Sequence, residues 1–267
     1  MGSLDLPAAA KAIRHESATD GAQAIRRAIE VVRLVAQMQR SGANLSRVAR
    51  AAGLSTSTAF RILRTLTEER ILSHEPTERN YYLGPLAFEL GLASSLHSQV
   101  DERWRAAVEQ IARTTRHTAY LMARSENDAV CRLCAQGSMA IRAMPMEVGQ
   151  RLPLGVGAGS LAILASLPDD EVDRILFVQA SRLESYPGGK ARAERIRERV
   201  KLTRSQGYSI SSGVVATGVI GVGVAIFPSR GLNQFALSVS AVASIIDKAE
   251  LERMVSAMNH VISPPDQ

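Results

Sequence analysis

Apolar residues near the start of the chain recur with the spacing of two short helices. The segment runs from Asn44 to Arg70 and reads NLSRVARAAGLSTSTAFRILRTLTEER. An apolar stripe in the first helix is followed by Gly53, which supplies the turn. Ser55 is a suitable N-cap for the second helix. The apolar face of that helix follows at i, i+3, i+4 and i+7, on Ala59, Ile62, Leu63 and Leu66. This pattern predicts a helix-turn-helix.

The free face of the second helix carries hydroxyls near its start and arginines further along, which suit base edges and phosphates. The alternative is an ordinary helical hairpin with a solvated basic face. Two strand-like segments follow, Ile71–His74 and Asn80–Leu83, and they predict a wing beside the recognition helix. We therefore predict DNA contacts from Ser55, Thr56, Ser57, Thr58, Arg61, Arg64 and Arg79.

Helical periodicity flanks this motif on both sides. Upstream, the stripe that should brace the recognition helix consists of Ile25, Ala28, Ile29, Val32 and Ala36. Downstream, Pro85 opens a linker helix whose spare apolar surface would serve as a dimer contact. A two-fold dimer would read an approximately palindromic DNA operator.

The rest of the chain alternates helices with strands that lie close together in sequence. Strands are predicted at 118–123, 129–135, 208–211, 219–227 and 234–240, with helices at 158–167, 170–178, 191–206 and 248–262. This order indicates an α+β fold with helices on one face of the sheet. The predicted parts are a flexible tail (1–20), a winged helix-turn-helix (21–83), a linker helix (84–98) and a second domain (99–263).

Composition favours a two-domain protein with an anionic partner. The chain has 267 residues, 46% of them apolar, a net charge of +6 and a pI near 9.7. Between Asp20 and Leu83 there are ten Arg and no Lys against six Asp and Glu, a local balance of +4. Arginine suits forked contacts with phosphate and guanine.

At this point the sequence resembles the IclR family of bacterial transcriptional regulators, over residues 23–262. The recognition segment G-L-x-x-S-T-A-x-R-L-L is matched by Gly53, Leu54, Ser57, Thr58, Ala59, Arg61, Ile62 and Leu63. The end of the wing, Y-x-L-G, is matched by Tyr81, Leu83 and Gly84. A later loop and helix start are matched by Val148, Gly149, Leu152, Pro153, Leu154, Gly157, Ala158 and Gly159.

The resemblance implies a GAF-like effector-binding second domain and a homodimer or dimer of dimers. The chain departs from the family pattern at Thr56 and Ser160, where lysine is common, and at Phe60, where histidine is common. The acidic stretch before the glycine-rich strands is replaced here by SISSGVVATG. These departures fall in segments implied to contact operator and effector.

Several local features of the second domain predict a small-molecule pocket. Glycines precede a helix whose free amides could hold a carboxylate, although they could equally serve close helix packing. Gly221 and Gly223 leave one strand face bare, which makes room for another backbone or for a ligand. We predict effector contacts from Ile141, Met144, Met146, Gly157, Ala158, Gly221, Ser238 and Ser240. An apolar wall with few polar groups suits a small organic acid, with an aromatic ring as one option.

The two cysteines, Cys131 and Cys134, lie three apart in a strand-like run, where they should point to opposite faces as reduced, packed residues. A lone C-x-x-C makes a poor zinc site, and no metal, cofactor or catalytic residue is predicted. A thiol-based enzyme on a GAF-like scaffold is one alternative function, and an effector-independent DNA-binding protein is another.

The leading hypothesis is a regulator, either repressor or activator, whose affinity for double-stranded DNA responds to a small acid. The start of the chain lacks the apolar core of a signal peptide, so a cytoplasmic protein is expected. Residues 205–229 carry no charged side chain, but their glycines and serines favour buried strands over a membrane span.

Overall fold

The computed structural model of the protein describes residues 9–38, 42–95, 99–141, 143, 146–187, 192–226 and 234–262. These residues form two compact units, divided after position 98. Of the predicted effector contacts, Met144 lies outside the described residues. We describe each unit by itself.

The first unit is a winged helix-turn-helix. Its helices are α1 (Ala9–Met38), α2 (Leu45–Ala51), α3 (Thr56–Glu68) and α4 (Pro85–Ser95), and its strands are β1 (Ala43–Asn44), β2 (Leu72–Glu75) and β3 (Asn80–Leu83). The strands form an antiparallel sheet in the order β1-β3-β2. Asn44 caps α2 by accepting a hydrogen bond from the Arg47 amide at 3.0 Å, and Gly53 makes the turn with a φ of +63°.

The core of the first unit joins α1, α2, α3 and the sheet. It contains Val31, Val35, Ala43, Val48, Leu63, Leu66, Leu72 and Tyr81. The predicted stripe on α1 was partly wrong, because Val31 and Val35 are fully buried while Ile25 and Ile29 are exposed. This helix has more apolar residues than one buried face needs. Periodicity alone therefore could not show which of its apolar stripes is buried. The helix also begins at Ala9, before the predicted boundary at residue 21, in a run that contains no proline.

The second unit is built on one six-stranded antiparallel sheet, in the order β6-β5-β4-β9-β8-β7. Its strands are β4 (Thr118–Ser125), β5 (Asp128–Ala135), β6 (Arg151–Pro153), β7 (Ser209–Ser212), β8 (Val219–Ile226) and β9 (Phe235–Val242). Its helices are α5 (Gln99–Thr115), α6 (Ala158–Ala165), α7 (Asp169–Val178), α8 (Ala180–Glu184), α9 (Arg192–Gln206) and α10 (Lys248–Ile262). A 3-10 turn, Ala243–Ile245, precedes α10.

Helices cover both faces of this sheet, so the prediction of helices on one face was wrong. One face packs against α6 to α9, and the other against α5 and α10. The cause is visible in β4, where every residue from Thr118 to Ala123 is buried. A strand with apolar residues on both sides needs a covering layer on each.

A β-bulge changes the direction of the cysteine side chains. Cys134 pairs with Tyr120 and Cys131 pairs with Met122, with a shift of register between Leu121 and Met122. Since Tyr120 and Met122 are two apart on β4, both cysteines lie on the same face as these residues. The prediction of opposite faces was therefore wrong, because the bulge adds one residue to the ordinary alternation.

Acidification should destabilise the second unit through His117. This side chain is buried, with its Nε2 atom 3.2 Å from Oε1 of Glu250. Burial lowers the pKa of His117 despite the opposing effect of Glu250, and Arg253 and Arg116 add to the lowering. The unfolded chain therefore takes up a proton near pH 6.5, whereas His117 in the folded protein takes one up only at a lower pH. We expect the free energy of unfolding to fall by at most about 1.4 kcal/mol per pH unit below that point.

Thermal unfolding between pH 7.5 and 5.5 checks this expectation. The variant His117→Asn should lose the contribution of this histidine to the slope of melting temperature against pH. The exposed histidine His260 supplies the control, because His260→Asn should keep the wild-type slope. Equal slopes in all three proteins would contradict the assignment.

Candidate DNA-reading surface and ligand cavity

The exposed face of α3 carries most of the predicted DNA contacts. Its buried face holds Ala59, Leu63 and Leu66. On the opposite face the predicted residues are exposed except for Thr58, which is half-buried. Ser55 caps the helix by accepting a hydrogen bond from the Thr58 amide at 3.2 Å. The local sequence therefore presents one polar face from a helix anchored on its apolar side.

The residues of this surface differ in whether their side chains are already hydrogen-bonded. Ser55 Oγ lies 3.1 Å from Ser57 Oγ and 2.8 Å from Thr58 Oγ1, so these three hydroxyls form a local cluster. Arg64 Nε donates to Glu68 Oε1 at 2.7 Å. Arg61 is exposed and makes no ion pair with any of the described residues. Arg61 is consequently the arginine of α3 whose guanidinium can approach DNA without breaking an ion pair.

The wing carries both signs of charge. Arg79 is exposed at the turn between β2 and β3, where its φ is +55°. Two carboxylates lie near it, those of Glu75 and Glu78. Hydrogen bonds donated by Tyr82, at 2.7 Å, and by Asn80 lower the pKa of Glu78, which keeps it ionised. The wing is therefore a weaker attractor of phosphate than the face of α3.

Sequence reasoning did not count Phe60 among the DNA-reading residues. Its side chain is 48% exposed on α3, between Thr56 and Arg64 in the i, i+4, i+8 row. An exposed aromatic side chain on a polar helix face was detectable from spacing, because Phe60 falls outside the apolar stripe. In a major groove such a ring can contact a thymine methyl group.

A cavity of about 40 Å³ lies in the second unit, over the face of the sheet that α6 covers. None of the described residues that line it is charged. The lining residues are Tyr120, Met122, Met146, Leu152, Val156, Gly157, Ala158, Gly159, Ser160, Ser211, Val214, Val215, Ala216, Val219, Gly221 and Ser240. The cavity is mostly apolar, with hydroxyl groups and the start of a helix as its polar parts.

The N-terminal turn of α6 contributes backbone amides to this cavity. The N-cap, Gly157, has a φ of +84° and offers no side-chain cap. The amides of Ala158, Gly159 and Ser160 have no partner within the helix, and all three residues are buried. The Ser160 hydroxyl donates to the Val156 carbonyl, so it does not accept a hydrogen bond from these amides. Free amides at a helix start favour an anion.

The bare face of β8 is occupied by the backbone of α6. A Cβ atom on Gly223 would lie 2.8 Å from the carbonyl carbon and oxygen of Ala158. Ser209 Oγ donates to that same oxygen at 2.7 Å. Gly221 is less crowded, since its Cβ would meet the Cβ of Ala158 at 3.2 Å, and it also lines the cavity. The two glycines thus allow α6 to pack closely on β8, and Gly221 also lines the cavity.

The seven predicted effector contacts that lie among the described residues divide into those that line the cavity and those that do not. Met146, Gly157, Ala158, Gly221 and Ser240 line the cavity. Ser238 is buried beneath α6, with its Oγ 3.0 Å from the position of a Cβ on Gly159. Ile141 is 68% exposed and is not among the lining residues.

Sequence reasoning missed Tyr120. This residue is only 2% exposed and lines the cavity, and its hydroxyl has no hydrogen bond of good geometry with any described residue. Its neighbours include Cys134 and the backbone of Met146. A single tyrosine in the apolar strand sequence TAYLMA was the available signal, because a buried phenol normally finds a partner.

Comparison with known families assigns both units. The model described as "IclR helix-turn-helix domain" matches residues 24–76. The model described as "Bacterial transcriptional regulator IclR C-terminal" matches residues 94–263. The chain belongs to the IclR family. It is a transcriptional regulator with a helix-turn-helix DNA-binding domain.

This chain is similar to other members of the IclR family in sequence and in fold. The HTH-type transcriptional regulator XynR of Escherichia coli K12 is 25% identical over 230 residues, which cover 86% of this chain and 90% of XynR. An IclR-type regulator from Alicyclobacillus acidocaldarius has a TM-score of 0.74 at 25% identity, covering 90% of this chain and 96% of its own. An IclR homologue from Microbacterium hydrocarbonoxydans, solved in complex with 4-hydroxybenzoate, has a TM-score of 0.67 at 20% identity, covering 90% and 97%.

The cysteines of this IclR-family chain are poorly suited to thiol chemistry. Burial raises the pKa of Cys131 to about 12, with a further contribution from Cys134. Burial also raises the pKa of Cys134. Because the thiolate is the reactive form, both residues are weak nucleophiles near neutral pH.

Across the described parts of the chain, no helix combines the length and apolarity needed to cross a membrane.

Proposed function

We propose that this IclR-family protein is a ligand-responsive regulator whose operator affinity changes when a small organic acid binds the cavity of the second unit. The observation that carries the proposal is a cavity with no charged residue among its described lining and, at one wall, helix amides that have no partner within α6. Amide donors can hold a carboxylate without a cationic side chain. For the acid to act, it must bind one geometry of the assembled regulator better than another.

The same proposal includes a homodimer, or a dimer of dimers, on an approximately palindromic operator in the cytoplasm. Its support is exposed apolar surface in the first unit. Ile25 on α1 and Phe88, Leu90 and Leu92 on α4 are each more than half exposed. Apolar residues at this density on neighbouring helical turns favour burial against a second copy.

The size of the cavity favours a short acid over an aromatic one. About 40 Å³ holds roughly three waters, whereas an engineered cavity that binds benzene has about 150 Å³. The homologue solved with 4-hydroxybenzoate supports an acid as the class of ligand. In this chain an aromatic ring would require the cavity walls to move.

Arg61 supplies the test of the DNA-reading surface. Genomic fragments captured by the purified full-length protein would first define the operator. We expect Arg61→Ala to weaken operator binding by about 1–3 kcal/mol if the side chain reads a base, because that contact is lost without disturbing the buried face of α3. Fluorescence anisotropy with a labelled operator measures the change.

The matched control is Arg113→Ala, which removes an exposed arginine from α5 in the second unit and should leave operator affinity unchanged. Unchanged binding by the Arg61 variant would contradict our assignment of the reading face. Addition of short carboxylic acids to the same assay tests the effector. An operator affinity that responds to no acid would instead support an effector-independent DNA-binding protein.

A further inference from the structure

Phe60 is an apolar side chain on the outward face of α3, which is otherwise polar. Its side chain is 48% exposed, while Ala59 and Leu63 on the other side of the helix are fully buried. A single exposed ring is common on protein surfaces and means little by itself. This ring is informative because it lies on the second helix of a helix-turn-helix, the helix that enters the major groove in such domains.

The ring lies in the part of this helix that reads bases. Phe60 is one helical turn beyond the start of α3, and the N-terminal part of a recognition helix contacts base edges. Thr56 and Arg64 lie one turn to either side of it on the same face, and Arg61 follows it directly. Hydroxyls and arginines around one ring favour a nucleic-acid partner over a second protein, because charged residues are depleted at the centre of protein interfaces.

The exposed part of the ring is open to a partner. Arg64 donates from Nε to Glu68 Oε1 at 2.7 Å, which holds its guanidinium one turn beyond Arg64, away from the ring. Within the described parts of the chain, neither an arginine nor another aromatic ring stacks on Phe60. DNA can therefore reach the ring without first breaking a contact within the protein.

The floor of the major groove offers a ring of this kind a single good contact. All four bases present hydrogen-bonding groups there, and thymine adds a methyl group at C5. A phenyl ring has no hydrogen-bonding group, so beside a polar base edge it would displace water without replacing its hydrogen bonds. Beside a thymine methyl group, apolar surface on both partners leaves water.

We propose that Phe60 is a specificity-determining residue that reads a thymine of the operator through its C5 methyl group. Arg61 reads or anchors the neighbouring DNA, and Phe60 selects the base. This inference rests on the part of the proposed function that assigns operator reading to the outward face of α3. It does not depend on the acid or on the cavity of the second unit.

Replacement of thymine by deoxyuridine tests the contact, because the two bases differ only in the C5 methyl group. Genomic capture first defines the operator, and each thymine of one half-site is then replaced in turn. We expect the full-length wild type to bind about fourfold more weakly when the contacted thymine is replaced, measured by fluorescence anisotropy, since burial of one apolar carbon is worth about that factor. Phe60→Ala should bind the two DNAs equally well.

Phe177→Ala supplies the matched control, because it removes a phenylalanine that is 84% exposed on α7, in the second unit. This variant should keep the wild-type ratio between the two affinities. Each protein is compared with itself on two DNAs. A loss of folded protein therefore lowers both apparent affinities together and leaves their ratio unchanged.

Two results would overturn the inference. One is a Phe60→Ala protein that still distinguishes the two DNAs as the wild type does. The other is a wild type that tolerates deoxyuridine at every thymine of the operator.

The proposed reading face fails in a different way. If Arg61→Ala and Phe60→Ala both bind the operator as the wild type does, this face of α3 does not read DNA. If Arg61→Ala weakens binding while every deoxyuridine is tolerated, the reading face stands and the role of Phe60 alone is refuted.

Discussion

Replacing Leu63 with alanine is expected to lower the free energy of unfolding of the first unit by about 2–5 kcal/mol. Leu63 is fully buried on α3, in a cluster that includes Val31, Val48 and Leu72. Truncation removes apolar contacts from α1, α2 and the wing together, and it leaves a void that backbone elements on three sides cannot easily fill. Operator binding should fall with it, although no DNA-contacting side chain is changed.

Differential scanning calorimetry of the full-length protein measures this loss, since the two compact units can unfold in separate transitions. The same substitution at Leu202, which is 56% exposed on α9, should change stability by less than about 0.5 kcal/mol. Comparable losses in the two variants would mean that Leu63 does not organise the core as described.

Replacing Gly223 with alanine should destabilise the second unit by about 1–3 kcal/mol. The added methyl group would lie 2.8 Å from backbone atoms of Ala158 and from Ser209 Oγ. Backbone cannot move aside as a flexible side chain can, so α6 must separate from β8. That separation weakens the hydrogen bond from Ser209 to Ala158 and displaces the amides proposed to hold the acid.

Gly221→Ala provides the comparison within the same strand. The tightest contact of its methyl group would be with the Cβ of Ala158, at 3.2 Å, and its other contacts would be at ordinary van der Waals distance, so its effect on melting temperature should be smaller. Acid binding should fall in both variants, because Gly221 lines the cavity. A Gly221 variant as unstable as the Gly223 variant would refute the explanation based on backbone contact.

Much of the first unit could be predicted because its signals are local. The N-cap at Ser55, the turn at Gly53 and the apolar spacing through Leu66 each depend on residues within a few positions of one another. The two-residue strand β1 was not predicted, and the buried residues of α1 include Val31 and Val35, which lie outside the predicted stripe. Their burial depends on which of two apolar stripes meets α3, a question of packing between elements.

Some features of the second unit could not be predicted from local sequence patterns. Its long strands were predicted from runs of β-branched residues. The bulge that places Cys131 and Cys134 on one face could not be predicted from the residue types in the strand. The burial of Tyr120 beside Cys134 and the backbone of Met146 depends on contacts between separate elements, and no single segment contains that information. The bare face left by the glycines of β8 was predicted to admit either another backbone or a ligand, and the structure identifies the backbone of α6 beside it.

The shared use of α6 has a consequence for how the proposed effector specificity could change. The floor of the cavity is also the contact that joins α6 to β8, so substitutions there alter folding and recognition together. The other walls come from Leu152 in β6 and from Val214, Val215 and Ala216 in the connection between β7 and β8. Divergence towards new metabolites, or the engineering of a biosensor, has most freedom at these wall positions.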